Sequence, residues 1–204
     1  MATRMTTREL LDQHGQTYAH QAGITLRDTP APLFQLLVLT QLSSTRISAD
    51  IAADAARELF TQGWRTPERL RASTWQQRVD ALGRAGYRRY DESTADRLDE
   101  LATRVQVELK GDLRRLRPSG PLSTRDLQGQ LQGFPRIGPV GAGVFCREVQ
   151  AVWPGLRPFF DQRARRAAKK LGWSDDPRRL ADRVAPEDVA TLAAALVRYS
   201  LSAR

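Results

Sequence analysis

Apolar residues recur at helical spacing along almost the whole chain, and this pattern limits the fold more than any other feature. Between residues 91 and 109 they fall on one helix face, at Ala95, Leu98, Leu101, Ala102 and Val105. Alternation of β-branched residues, which is typical of half-buried strands, is nearly absent. Glycine and proline interrupt the pattern often. The sequence therefore predicts an all-α protein of about ten short helices.

Two segments show how these helices are expected to pack. The stretch from Leu33 to about Thr40 is apolar on nearly every side, which predicts a buried central helix. Near the N-terminus, Thr6 and Glu9 have the spacing of a capping box, which predicts the start of a first helix. We expect the N-terminal and C-terminal helices to pack together as a second lobe.

The charge of the chain favours a polyanionic partner. Among 204 residues, 32 are basic and 23 are acidic, so the formal net charge is +9. Only Lys110, Lys169 and Lys170 are lysines, and the remaining basic residues are arginines, whose planar forks suit phosphate groups and base edges. A GC-rich genome would also enrich arginine, so its abundance alone has two explanations. The net charge is harder to attribute to codon bias.

Several classes of protein are excluded by composition. A single cysteine, Cys146, rules out a disulfide framework, a four-thiolate zinc site and an all-cysteine iron–sulfur cluster. The longest apolar runs are too short to span a bilayer, and Met1–Leu10 has no apolar core of a signal peptide. We expect a soluble, cytoplasmic protein without a membrane partner.

A glycine-containing hairpin is the first feature that points to chemistry. Residues 124–132 and 141–153 are predicted helices, joined by Gly133-Phe134-Pro135-Arg136-Ile137-Gly138-Pro139. Glycines at a helix N-terminus expose backbone N–H groups, and the helix dipole adds partial positive charge there. This arrangement predicts a phosphate-binding turn that does not distinguish one base from another.

Asp161 is the second such feature. It follows the apolar residues Pro158-Phe159-Phe160 and precedes Arg163, Arg165 and Arg166. A partly desolvated carboxylate at the start of a helix can stabilise a developing positive charge or activate a water molecule. Asp161 is equally well suited to capping the helix that begins near residue 162.

Together these segments resemble the helix–hairpin–helix (HhH-GPD) DNA glycosylases of the endonuclease III superfamily. Phe134-Pro135-Arg136-Ile137-Gly138-Pro139-Val140-Gly141-Ala142 is similar to the family's hairpin, and Phe160-Asp161 is similar to its Val-Asp, about twenty residues later. Leu36-Leu37-Val38-Leu39-Thr40-Gln41, Thr66-Pro67-Glu68-Arg69-Leu70 and Gly86-Tyr87 resemble three upstream segments, and the likeness covers roughly residues 33–172. The resemblance implies a two-lobed helical fold, with a six-helix barrel-like domain at 31–154, its hairpin at about 124–153, and a second domain formed by 1–30 and 155–204.

The resemblance also implies a role for individual residues. Asp161 takes the catalytic position, Gln41 the position that fills the gap left by a flipped nucleotide, and Tyr87 that of the wedge. Gln41 could equally be an ordinary helix-end amide, and Tyr87 a packed aromatic. The expected DNA contacts are Gln41, Tyr87, Arg136, Gly138, Val140, Gly141, Arg163 and Arg166.

Departures from the family pattern narrow the expected activity. Val140 stands where bifunctional relatives have the lysine that forms a Schiff base with the sugar, so we expect hydrolysis of the base without strand cleavage. The cysteines that bind the iron–sulfur cluster in many relatives are missing, so we expect no cluster. Leu36 replaces the glutamate of the adenine-mismatch branch. Structural K⁺ or Na⁺ at the hairpin backbone of Phe134 and Arg136 is implied by the resemblance.

The sequence is therefore interpreted as a monofunctional DNA glycosylase of base excision repair. Its expected partner is duplex DNA with a damaged, modified or mismatched base, and we expect a nucleoid-associated monomer. The main alternative is a non-catalytic HhH protein that binds DNA structures, since Arg136 replaces a hairpin glycine and Val140 lacks an amine. A helix-turn-helix regulator is a third class, but it requires dimerisation, and the chain has no obvious dimer seam.

Overall fold

A computed structural model describes residues 5–117 and 123–202 of the chain. Every regular element in these ranges is a helix, which confirms the all-α prediction. Twelve α-helices are described, namely α1 (Thr7–His14), α2 (Tyr18–Gln21), α3 (Pro30–Leu42), α4 (Ala49–Thr61), α5 (Pro67–Arg71), α6 (Trp75–Arg84), α7 (Asp91–Glu108), α8 (Thr124–Gln132), α9 (Pro139–Val149), α10 (Gln162–Lys170), α11 (Pro177–Ala181) and α12 (Val189–Ser202). Short 3₁₀ segments cover Leu113–Leu116, Pro154–Leu156 and Pro186–Asp188.

Side-chain caps explain where many of these helices begin. The predicted capping box at Thr6 and Glu9 is present: the Thr6 hydroxyl accepts a bond from the Glu9 backbone N–H, and the Glu9 carboxylate accepts one from the Thr6 N–H. Thr74 and Gln77 form a second box at α6. Because these caps satisfy backbone donors that the helix leaves without partners, they fix the first residue of each helix.

The unit formed by residues Ala19–Phe145 is built around α3. Every residue of α3 from Leu33 to Leu42 is buried, as the apolar run predicted. Helices α4 and α7 and the 3₁₀ segment Leu113–Leu116 pack against it, and α5 and α6 pack against α7. Burial of this continuous apolar helix contributes hydrophobic stabilisation to the unit.

The second unit combines residues Met1–Tyr18 with Cys146–Arg204. Its centre is α12, whose residues Val189 to Val197 are buried except for Thr191, and which packs against α1 and α10. The chain thus divides after residues 18 and 145, whereas the sequence predicted divisions after residues 30 and 154.

None of the described helices is long and apolar enough to cross a lipid bilayer.

Candidate functional site

The hairpin between α8 and α9 has a buried base and an exposed tip. Phe134 and Ile137 are buried, and the Ile137 N–H donates to the Phe134 carbonyl over 3.2 Å. Between them, Arg136 is exposed and adopts a left-handed backbone, with φ of +59°. The left-handed position of this turn is therefore occupied by arginine, which places a guanidinium at the tip.

Gln41 holds this hairpin from inside the protein. Its side-chain amide N–H groups donate to the carbonyls of Pro135 and Arg97, each over 3.1 Å. Only 2% of the Gln41 residue is exposed, and its amide oxygen has no hydrogen-bond partner among the described residues. In this structure the Gln41 side chain is buried and bonded to the hairpin, and its role in filling a gap in DNA stays a prediction.

Arg104 supports the hairpin from α7. Its guanidinium lies 5.2 Å from the centre of the Phe134 ring and donates to the Gly133 carbonyl. Glu108 holds the same guanidinium at 2.8 Å, and this contact raises the pKa of Arg104. The hairpin is thus fixed at Gly133, Phe134 and Pro135, which leaves Arg136 and Gly138 as the accessible part.

Tyr87 belongs to the core of the larger unit. The residue is fully buried, its hydroxyl donates to the Leu42 carbonyl over 2.9 Å, and it also bonds the Thr45 hydroxyl. Burial raises the pKa of this phenol. The packed-aromatic alternative describes the position of Tyr87 in this structure, and its wedge role stays a prediction.

Helix α9 begins with one exposed and one buried residue. Val140 is 73% exposed, whereas Gly141 is buried. A Cβ atom at position 141 would lie 2.2 Å from the Ser44 hydroxyl oxygen, so Gly141 permits close packing at this point. The N–H groups of Val140 and Gly141 are in the first turn, where no intrahelical acceptor exists. Any DNA contact of Gly141 is therefore limited to its backbone.

Replacing Arg136 with glycine is expected to raise the free energy of unfolding by about 0.5–1 kcal/mol. A left-handed backbone costs a non-glycine residue about 1–2 kcal/mol, and the added freedom of glycine in the unfolded chain offsets about 0.4–1 kcal/mol of the relief. Urea denaturation of both proteins measures this difference. A loss of stability in Arg136→Gly would show that the arginine side chain contributes contacts that outweigh the backbone strain.

Asp161 is the N-cap of α10, so the capping interpretation is confirmed. Its Oδ1 atom accepts the Ala164 backbone N–H over 2.9 Å. Its Oδ2 atom accepts a hydrogen bond from the Arg147 guanidinium over 2.6 Å, and 15% of the side chain is exposed. Both oxygens are therefore oriented by the protein, and the side chain is not completely buried.

Arg147 lies between two carboxylates. Its Nε atom is 3.3 Å from Glu148 Oε1, and its side chain is almost completely buried, as is that of Glu148. The Tyr18 ring lies 5.1 Å from the guanidinium carbon. Burial alone would lower the pKa of Arg147, but the charges of Asp161 and Glu148 more than offset this, so its pKa is raised. We call Glu148, Arg147 and Asp161 the carboxylate cluster.

Gln150 fixes the segment that leads to Asp161. Its side-chain amide donates to the Phe159 carbonyl over 2.8 Å and accepts the Phe159 N–H over 2.9 Å. In a β-sheet, a neighbouring strand would bond both the N–H and the carbonyl of such a residue. Here the Gln150 side chain bonds both groups of Phe159. Asp161 is thereby held on one side by Gln150 through Phe159 and on the other by the start of α10.

The exposed face of α10 is cationic. Arg163 and Arg166 are exposed and make no ion pair with any residue in the described ranges. Arg165 and Lys169 both pair with Asp175, at 3.5 and 3.0 Å. Arg163 and Arg166, which are predicted to bind DNA, are thus two α10 cations that have no ion pair among the described residues, and Lys170 is a third.

Sequence reasoning missed Arg147, Glu148 and Gln150. The signal was the occurrence of two adjacent charges within Val144-Phe145-Cys146-Arg147-Glu148-Val149, where the flanking residues are apolar. Charges in such a stretch are buried together with the helix and need partners nearby. The sequence gives no direct indication that Asp161 is one of these partners.

The described residues contain no group of three or more His, Cys, Asp or Glu side chains that could hold a metal ion. The backbone carbonyls of Phe134 and Arg136 are of the donor type that K⁺ and Na⁺ accept. One lone pair of the Phe134 carbonyl is taken by the Ile137 N–H, and the other remains compatible with such an ion. The monovalent cation stays a prediction.

The chain was compared with known proteins. No family model matches it, and no curated protein does. Two solved structures of endonuclease III bound to DNA are similar to it. One, a trapped covalent intermediate with an estranged adenine, shares 17% identity over 97% of this chain and 85% of that chain, with a TM-score of 0.54. The other, a non-covalent complex, shares 18% identity over the same fractions, with a TM-score of 0.52. This chain therefore has the all-helical fold of the endonuclease III structures.

Proposed function

We propose that the protein is a monofunctional DNA glycosylase, which excises a damaged, modified or mismatched base from duplex DNA in base excision repair. The observation that carries this proposal is the geometry of Asp161. The carboxylate is partly desolvated, paired with Arg147 and fixed at the N-terminus of α10, and 15% of the side chain is exposed. A fixed anion of this kind suits a reaction that passes through a cationic sugar.

DNA binding is supported by the fold and by the placement of cations. The endonuclease III chains of the same fold were solved with DNA. In this chain, the hairpin offers the exposed Arg136 and the N–H groups at the start of α9, and α10 offers Arg163 and Arg166. These groups suit phosphates, which position a duplex without reading its sequence. Hairpin carbonyls of Phe134 and Arg136 would hold a monovalent cation, which would add positive charge near a phosphate.

The proposed reaction needs the base to leave its stack, because an enzyme cannot reach the glycosidic carbon of a paired nucleotide. The C1′–N bond breaks, its electrons go to the departing base, and the base takes up a proton from solvent. Asp161 stabilises the resulting oxocarbenium-like sugar and orients the water whose oxygen bonds to C1′. That water's proton passes to Asp161 or to solvent, and the products are a free base and an abasic site. No group of the protein forms a covalent bond with the sugar in this scheme.

Strand cleavage is not expected. A lyase step needs an amine that attacks C1′, and position 140, at the exposed start of α9, is a valine. Abasic product should therefore resist cleavage until alkali is added, and borohydride should trap no covalent adduct with DNA.

A second function is favoured by one specific observation. Both oxygens of Asp161 already accept hydrogen bonds, and Arg147 offsets part of its charge. A chain that kept the hairpin and used Asp161 only as an N-cap would bind DNA structures without excising a base.

The deciding experiment is a base-release assay on duplexes that carry uracil, mismatched thymine, alkylated purines, oxidised bases or modified cytosines. Each product is analysed with and without alkali, and with borohydride. Alkali-dependent cleavage of at least one duplex supports the proposal. Cleavage without alkali contradicts the monofunctional assignment. Tight binding with no base release from any duplex supports the structural DNA binder instead.

Replacing Gly138 with alanine is expected to weaken DNA binding at least about tenfold, as loss of one good phosphate contact does, without destabilising the protein. No protein atom lies within 4 Å of the added Cβ, and Gly138 does not need a left-handed backbone. A methyl group would instead obstruct the approach of a phosphate to the N–H groups of α9. Fluorescence anisotropy with labelled duplex measures the affinity, and thermal unfolding checks the fold. Gly83→Ala, on α6 and equally free of neighbours, is the matched control. Unchanged affinity in Gly138→Ala would place the DNA elsewhere.

A further inference from the structure

The carboxylate cluster has an unequal distribution of charge and exposure. It contains two carboxylates and one guanidinium, so it carries one formal negative charge. The Glu148 side chain is completely buried, that of Arg147 is 4% exposed, and that of Asp161 is 15% exposed. Only Asp161 can therefore present this charge to a ligand.

A pair of Arg147 and Asp161 alone would have no net charge. The guanidinium nitrogen lies 2.6 Å from Asp161 Oδ2, and in a buried site this proximity would cancel most of the field that the carboxylate exerts on a nearby cation. Glu148 is 3.3 Å from the opposite part of the same guanidinium. Its charge offsets that of Arg147, so the field outside the cluster is that of one anion.

From this geometry we infer that Glu148 is a positioning residue for Asp161: by offsetting the charge of Arg147, it preserves the negative field of Asp161 toward a cationic sugar. The inference rests on the proposed function, since it assigns Glu148 to the same reaction. Glu148 does not need to touch the DNA. It acts through Asp161, which is the group assigned to the reacting atoms.

A purely structural role makes a different prediction. If the cluster only ties α9 to α10, the properties of a variant should follow its stability and not its charge. Within the cluster, the Arg147 guanidinium also lies against the Tyr18 ring. The guanidinium carbon of Arg198 lies 4.2 Å from the centre of the same ring. These neighbours are left unchanged in the variants chosen below, so that only the charge of the cluster changes.

The test compares two DNA duplexes that need no knowledge of the excised base. One contains a pyrrolidine abasic analogue, which is cationic, and the other a neutral tetrahydrofuran analogue. The wild-type protein is expected to bind the cationic duplex at least about tenfold more tightly than the neutral duplex. An electrostatic interaction of about 1.4 kcal/mol changes a dissociation constant by that factor. Glu148→Gln, which leaves a neutral pair, is expected to lose this preference.

The double variant Arg147→Gln/Glu148→Gln gives the sharpest contrast. It removes both buried charges and leaves Asp161 with the single negative charge of the wild-type cluster, so it is expected to regain the preference for the cationic duplex. Glu187→Gln is the matched control, because it removes the same charge from an exposed position of the same unit. Thermal unfolding establishes that each variant is folded.

The outcomes separate this inference from the proposed function. A preference that persists in Glu148→Gln, or is absent in the double variant, overturns the inference while leaving Asp161 as the acting carboxylate. If Glu148→Gln does not fold, a double variant without the preference still overturns the inference. A wild-type protein that shows neither the preference nor base release overturns the proposed function and, with it, the assignment of Glu148.

Discussion

Asp161→Asn is expected to lower the rate of base release by about 10²- to 10⁴-fold, the usual contribution of an acid–base or electrostatic group. Asparagine has the same shape, and its amide oxygen can still accept the Ala164 N–H that caps α10. What it lacks is the charge that stabilises a cationic sugar and the basicity that orients water. Single-turnover kinetics on the duplex identified by the release assay measure the rate, and anisotropy measures DNA affinity.

The affinity of Asp161→Asn for DNA is expected to stay within about threefold of wild type, less than the tenfold that 1.4 kcal/mol would produce. The expected loss is thus in the chemical step and not in binding. Asp176→Asn is the matched control. Asp176 caps α11 in the same unit by accepting the N–H groups of Arg178 and Arg179, each over 3.0 Å. Asp176→Asn should release base at the wild-type rate. Equal activity of Asp161→Asn and wild type would leave Asp161 as a helix cap only.

The helical elements could be predicted because their causes are local. The capping box at Thr6 and the apolar run of α3 each determine a helix within a few residues of sequence. The division into two units does not follow from local sequence in the same way, and the boundaries found differ from the predicted ones. It depends on which helices pack together, and contacts such as that of α1 with α12 join residues far apart in the chain.

The candidate site was predictable in its residue types but not in their exposure. The order of the hairpin and Asp161 along the sequence identified both features, and the structure shows Arg136 exposed and Asp161 at a helix start. Gln41 and Tyr87 occupy matching positions in the sequence, yet each is buried and bonded to a backbone carbonyl. Sequence spacing says which residues are present, whereas tertiary packing decides which of them reach the surface.

The carboxylate cluster shows the same limit. Arg147 and Glu148 are adjacent on α9, and the partner that orients Arg147 is fourteen residues further along the chain. Periodicity relates residues within one element and gives no information about such a pair. Only the packing of the segment around Gln150 and Phe159 brings Asp161 to Arg147.

Arg147→Ala is expected to lower the free energy of unfolding by about 3–5 kcal/mol, the usual cost of removing one partner from a buried ion pair. The substitution leaves Glu148 completely buried without its cation and removes the hydrogen bond that fixes Asp161. It also leaves a space beside the Tyr18 ring. Urea denaturation followed by circular dichroism measures the change.

Two further variants show that the loss comes from burial of charge. The control is Arg165→Ala, in the same unit. Arg165 pairs with Asp175, but 45% of the arginine side chain is exposed. Its removal should therefore change the free energy of unfolding by about 0.5 kcal/mol or less. Arg147→Ala/Glu148→Gln should be more stable than Arg147→Ala, because the second substitution removes the buried negative charge that Arg147 no longer faces. If the double variant is no more stable than the single one, the loss in Arg147→Ala arises from the cavity beside Tyr18 and from the Asp161 hydrogen bond, and Glu148 does not need Arg147 to remain buried.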